Sequence, residues 1–155
     1  LKIDIRKAYD SVEWDFIEEI LISYLFPYQF IKVVMTCIRT ASFQVMWKGS
    51  AGKRFVGKRG LRQGDPVPPL IFVLSMEYLS RCLVHKISKS FILHKGCKQM
   101  KLNHLMFADD LLLFCGGSLN SIKELKSILE QFHKVTSLAI NHSKSQVFFC
   151  NVKVL

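Results

Sequence analysis

Apolar and charged residues alternate strictly over Leu1-Lys2-Ile3-Asp4-Ile5-Arg6. A period of two predicts a strand with Leu1, Ile3 and Ile5 on its packed face and Lys2, Asp4 and Arg6 on the other. The period then lengthens. Phe16, Ile17, Ile20, Leu21 and Tyr24 recur at helical spacing until Pro27, and Ile31, Val34, Cys37 and Ile38 mark a second helix. Phe43, Val45 and Trp47 alternate with Gln44 and Lys48, a strand that Gly49 to Gly52 turns back toward Phe55. Val67 to about Ile87 reads as a buried helix. The run His104-Leu105-Met106 and the run Leu111 to Phe114 flank a tight turn, which predicts a β-hairpin. Ile122, Leu125, Ile128, Leu129 and Phe132 form the stripe of an amphipathic helix, and Val147-Phe148-Phe149 reads as a closing strand. Helices packed on one face of a mainly antiparallel sheet give an α+β sandwich in a single domain.

Composition narrows the partners. The 155 residues are half hydrophobic, enough for a real core. A formal net charge of +10 and a pI near 9.5 suit a polyanion. The basic residues are densest at Lys53, Arg54, Lys58, Arg59 and Arg62. A merely solvated hairpin is the alternative reading of that cluster. Membrane-surface binding fits less well, because no helix sets a basic face against a continuous apolar one. Pro68, Pro69, Glu77 and Arg81 interrupt the stretch from Val67 to Val84, so it reads as a core helix rather than a membrane span. The five cysteines contain no C-x-x-C pair and read as reduced thiols of an intracellular protein. No signal peptide, repeat or linker is visible, and none of the five histidines suggests a catalytic role.

The chemistry concentrates in acids. Asp109 and Asp110 stand together between the apolar runs of the predicted hairpin. Adjacent carboxylates repel, and they supply no glycine for the positive φ of a tight turn. A bound cation removes the objection, since Mg²⁺ takes one or two carboxylates plus substrate phosphates. With the hairpin beside the first strand, Asp4 and Asp109 converge on one site. Three gathered carboxylates then imply a divalent-metal site for two ions. An exposed turn with solvated acids, and an ordinary surface Asp4, are the alternatives from residues alone.

A third segment, Gly60-Leu61-Arg62-Gln63-Gly64-Asp65-Pro66, leads into the apolar run from Val67. In order, Lys2-x-Asp4 with Ala8-Tyr9-Asp10, then Arg62-Gln63-Gly64-Asp65-Pro66, then Phe107-Ala108-Asp109-Asp110 resemble motifs A, B and C of reverse transcriptases. More narrowly they resemble the non-LTR (LINE-type) retrotransposon polymerases, with wording similar to plant elements, over nearly the whole chain. The resemblance implies a polymerase palm. It implies an RNA-directed DNA polymerase that joins a dNTP to a primer 3′-hydroxyl on an RNA template.

On this resemblance Asp4 and Asp109 bind two Mg²⁺ ions, or Mn²⁺ in their place, about 3.5–4 Å apart, and Asp110 assists beside them. Ala8 and Tyr9 match the substrate-binding part of motif A, Tyr9 as the steric gate against a 2′-hydroxyl. A plain aromatic packing on the core is the other reading of Tyr9. Arg62, Gln63 and Gly64 match the motif that meets nucleotide and template. Lys144, within Ile140 to Ser145, matches the motif D lysine that protonates the leaving pyrophosphate, although a polar-loop lysine is usually just solvated. The chain departs from the family at Pro68, where a small polar residue is common, and at Ser137, where glycine is usual.

The chain reads as a palm fragment of a larger retroelement polyprotein, with fingers and thumb missing, working in nucleus and cytoplasm or in an organelle. As an isolated fragment it is expected to show little polymerase activity. An inactive retroelement remnant, a binding-only palm, and an intron-encoded organellar reverse transcriptase or maturase are the alternatives.

Overall fold

The computed structural model describes residues 1–150. Four strands form one antiparallel sheet: β1 (Lys2–Arg6), β6 (His104–Phe107), β7 (Asp110–Leu113) and β8 (Ala139–Ile140), in the order β6-β7-β1-β8. Between β1 and β6 lie a one-turn helix α1 (Ala8–Ser11) and the helices α2 (Trp14–Ser23) and α3 (Tyr28–Arg39). Two short ladders follow, β2 (Ser42–Phe43) with β5 (Phe55–Val56) and β3 (Met46–Trp47) with β4 (Ser50–Ala51). Helix α4 (Pro68–His85) precedes the hairpin and α5 (Leu119–Thr136) follows it. The α+β expectation holds.

Alternation on β1 and β7 decides which face is covered. Ile3 and Ile5 of β1 are buried, as are Leu111 and Leu113 of β7, and all four join one core with α2, α4 and α5. Phe72, Leu79 and Leu83 of α4, Leu125 of α5 and Ile17 and Leu21 of α2 are nearly inaccessible in that core. Each such side chain contributes about 1.5–3 kcal/mol over its exposed state. Lys2, Asp4 and Asp110 are left on the uncovered face.

Several expectations need correction. Helix α4 is not buried all round: Leu70, Val73 and Val84 are exposed, because only one of its faces meets the sheet and its neighbours. Ile122 is the exposed rim of the α5 stripe, while Leu125, Ile128, Leu129 and Phe132 are buried. Val147, Phe148 and Phe149 form no strand and are exposed. Lys2 pairs with Gln146 as an isolated bridge.

The expected strand through Phe43, Val45 and Trp47 is broken in two. Pairings Ser42↔Val56 and Phe43↔Phe55, against Met46↔Ala51 and Trp47↔Ser50, differ in register by one residue. The returning strand therefore carries one extra residue, a β-bulge around Lys53 and Arg54. Lys48 and Gly49 close the tip with φ of 45° and 81°, the double positive φ of a type I′ turn.

The two family departures have local explanations. Pro68 and Pro69 occupy the first turn of α4, where a missing N–H costs no helical bond. Ser137 caps α5 in the left-handed region at φ 60° and donates its N–H to His133 O at 2.8 Å. That geometry favours glycine.

Candidate active site

Two sheet neighbours converge on residue 4. Asp4 is the register partner of Asp110 on β7. On its other side, Asn141 N donates to Asp4 O at 2.8 Å and Asp4 N donates to Ser145 Oγ at 3.2 Å. Both backbone groups of Asp4 thus point toward β8 and the loop after it. Asp4 and Asp110 are consequently a non-hydrogen-bonded pair, the kind in which facing side chains come closest. The loop is itself tied down: Ser145 Oγ donates to Asn141 O and Ser143 Oγ to Asn141 Oδ1, both at 2.8 Å.

The hairpin is built differently from its expectation. Phe107 pairs with Asp110, so the two turn residues are Ala108 and Asp109 rather than the two acids. Ala108 alone takes a positive φ, 52°, as the first central position of a type II′ turn requires. Asp110 is therefore a strand residue and Asp109 a turn residue. The residue in register with Asp4 is Asp110, and Asp109 stands one position before it in the turn.

Lys2 completes the local charge balance. Its Nζ lies 3.2 Å from Asp110 Oδ1, with both side chains about half exposed. Such a pair is weak in water, so the ammonium is a displaceable cation beside a carboxylate. No three His, Cys, Asp or Glu side chains among the described residues sit together in a metal-holding arrangement. The expected cluster of three carboxylates is thus not drawn together here. The pair that is drawn together still fits a hard divalent ion: Asp4 and Asp110 are register partners on one face, and the Lys2 ammonium already stands against one Asp110 oxygen.

The motif B residues lie elsewhere. Gly60 N donates to Val12 O at 2.8 Å and Leu61 N to Tyr9 O at 2.6 Å, fastening this segment to the chain around α1. Trp14 Nε1 adds a bond to Gly60 O at 2.7 Å. Gly60 has φ 83°, and a Cβ there would meet Asp10 O at 2.6 Å, so no other residue fits. A cavity of about 740 Å³ opens beside it, lined among others by Asp10, Trp14, Phe43, Arg59, Arg62 and Gln63. That volume is ordinary for a small-molecule site. Gly64 turns at φ 96° with open space around it. Arg62 Nε is 3.8 Å from Asp65 Oδ1.

Ala8 is buried. The ring of Tyr9 stacks on Phe72 of α4 with centroids 4.8 Å apart, so core packing accounts for its position. Lys144 is exposed on the loop that holds Asp4. Asp4, Asp110 and the Lys144 loop are brought together around β1, while Arg62, Gln63 and Gly64 belong to the cavity region. Sequence reasoning missed Lys2, which shares the Asp4 face by simple alternation. It also missed Asn141 and Ser145, whose cluster of small polar residues signalled a side-chain-stabilised turn.

The comparisons with known proteins agree with this architecture. The family profile for reverse transcriptase (RNA-dependent DNA polymerase) matches residues 1–155. The Pol polyprotein of the type-2 retrotransposable element R2DM of Drosophila melanogaster is 31% identical over 144 residues, 92% of this chain and 13% of that protein. The Pol polyprotein of a type-1 element R2 of Nasonia vitripennis is 32% identical over 111 residues, 72% of this chain and 10% of that protein. The chain thus spans only about an eighth of the length of the first of these relatives and less of the second. Among solved structures, telomerase of Candida tropicalis in complex with a fragment of telomeric RNA superposes with a TM-score of 0.72. It covers 94% of this chain and 25% of the telomerase chain at 16% identity, a likeness of fold. The palm-type sheet, the facing acids of β1 and β7 and the match along its whole length place this chain in the reverse transcriptase family, among relatives that are non-LTR retrotransposon polyproteins.

Proposed function

We propose that this segment is the palm core of an RNA-directed DNA polymerase encoded by a non-LTR retroelement. It would extend a DNA primer on an RNA template with dNTPs, as part of a larger polyprotein acting in cytoplasm and nucleus. The observation that carries the reading is the register pair Asp4↔Asp110 across the two central strands. Asp109, the turn residue before Asp110, would join them when a cation is bound.

Asp4, Asp109 and Asp110 would hold Mg²⁺ ions, with Mn²⁺ as substitute. Bound there, such ions lower the pKa of an attacking hydroxyl and neutralise charge on phosphate. The chain's own residues do the positioning. Loop 141–145 fixes the backbone of Asp4, Lys2 balances Asp110 until a substrate complex displaces it, and Lys144 offers a proton to the departing pyrophosphate. Arg62 and Gln63 at the cavity contact nucleotide and template, and the open space over Gly64 leaves room for a strand. Tyr9, clamped on Phe72, presents a rigid edge to the incoming sugar.

Primer extension by the longer protein that contains this segment tests the reading. Asp110→Asn and Asp4→Asn are each expected to reduce extension by at least about a hundredfold while template binding is retained, since the charge lost acts on the transition state. Undiminished extension in either variant overturns the assignment. Tyr9→Ala is expected to raise ribonucleotide incorporation relative to dNTP, and an unchanged ratio removes Tyr9 from the gate.

A further inference from the structure

Residues 20–64 contain eight Lys and Arg and not one Asp or Glu. The centre of that stretch is the bulged hairpin β2 to β5, which projects its apolar residues instead of burying them. Trp47 is 72% exposed and Val45 60%, and Phe43 and Phe55 stack on each other at 5.9 Å while remaining partly exposed. Strand period places Phe43, Val45 and Trp47 on one face. Phe43 also lines the 740 Å³ cavity beside Arg59, Arg62 and Gln63. An apolar stripe therefore runs from the cavity mouth to the hairpin tip. Lys48, Lys53, Arg54 and Lys58 flank it and form no ion pair among the described residues.

We infer that this hairpin is a stacking platform for single-stranded nucleic acid, with Trp47 the base-stacking residue and the surrounding lysines and Arg54 the phosphate-binding groups. An exposed indole on a hairpin that itself carries no Asp or Glu fits a partner with π-faces and negative charge together, and single strands offer both. Arg54 and Lys53 sit at the bulge, where an extra residue re-aims side chains. The type I′ turn keeps the tip narrow, and Trp47 beside it is largely exposed. The proposal rests on the polymerase reading for the expectation of nucleic-acid binding, but it concerns the hairpin beyond the cavity mouth and needs neither metal nor turnover.

Fluorescence anisotropy of the 155-residue chain with labelled twelve-nucleotide rU, the matching dT and a twelve-base-pair duplex decides it. Trp47→Ala leaves the net charge unchanged, so a purely electrostatic surface predicts no effect. The expected result is roughly 5- to 150-fold weaker binding of the single strands, the effect of losing one base stack, with a smaller loss for the duplex. Trp47→Phe should retain most of the affinity. Should Trp47→Ala fold poorly by circular dichroism, Trp47→Leu against Trp47→Phe makes the same comparison with bulk preserved. Replacing Lys53 and Arg54 by Gln is expected to flatten the salt dependence by roughly 0.7 for each phosphate no longer neutralised. The preference between rU and dT identifies the strand as template-like or primer-like. Absence of single-strand binding, affinity in Trp47→Ala within twofold of the parent, or an equal loss for the duplex each overturns the platform. In the last two cases the Asp4–Asp110 reading is untouched, because its own test is extension.

Discussion

Ala108 holds a φ of 52° at a turn position where glycine is the natural occupant. Left-handed backbone costs a non-glycine residue about 1–2 kcal/mol, of which glycine's greater chain entropy would return about 0.5–1 kcal/mol. Ala108→Gly is therefore expected to raise stability by about 0.5–1 kcal/mol, read as a shift in the urea midpoint. Ser137, at φ 60°, should respond to Ser137→Gly with the same sign and size. Strain beside acids is a recurrent property of functional corners. His104 is a different case. Its Nε2 faces Ser80 Oγ at 2.9 Å and its Nδ1 faces Asn103 Oδ1, whose amide nitrogen already donates to Leu83 O at 2.7 Å. Burial holds the imidazole below its ordinary range, opposed by the nearby Glu77 charge. The folded state thus prefers neutral His104. Stability is full above about pH 6.5, the unfolded value, and is lost as pH falls from there through the depressed folded value. Urea unfolding between pH 8 and 5 should show this decline, and His104→Gln should flatten it.

Elements were legible wherever a single period ran long enough. The alternation of β1, the stripe of α5 and the spacing of α2 and α3 all came through, because each buries one face against the same core. Boundaries failed where tertiary register overrode local pattern. Nothing in Phe107-Ala108-Asp109-Asp110 tells which two residues form the turn. The pairing of Asp110 with both Phe107 and Asp4 decides it. The bulge at Lys53 is equally silent, since one extra residue leaves the apolar alternation of Phe43 to Trp47 intact. Of the site, the acids were readable as types that folding alone does not explain. The backbone latch from Ser145 and Asn141 was not, because its meaning depends on a strand more than a hundred residues away. At this scale Phe72→Ala is expected to cost about 3–5 kcal/mol, since Phe72 is fully buried and carries the Tyr9 stack. Thermal unfolding measures it, and Tyr9→Phe should leave the midpoint nearly unchanged.

Across the whole molecule, charge and topology pull function to different places. Asp4 and Asp110 face each other at the β1–β7 corner, while the stretch from 20 to 64 carries Lys and Arg but no Asp or Glu. None of the described helices is long and apolar enough to cross a membrane. The sheet's topology has a further consequence, one of timing. The central strand β1 precedes every other described element, yet Asp4 meets its latch only at Ser145, a sequence separation of 141. During synthesis that strand waits with both edges unpaired while most of the domain is made. Closing loops of such length is slow, and unpaired edges invite other chains. Deleting residues 138–155 should therefore broaden thermal unfolding and lower soluble yield far more than the small burial of β8 suggests. A ribosome stalled anywhere before that point would carry Asp4 without the loop that fixes its backbone.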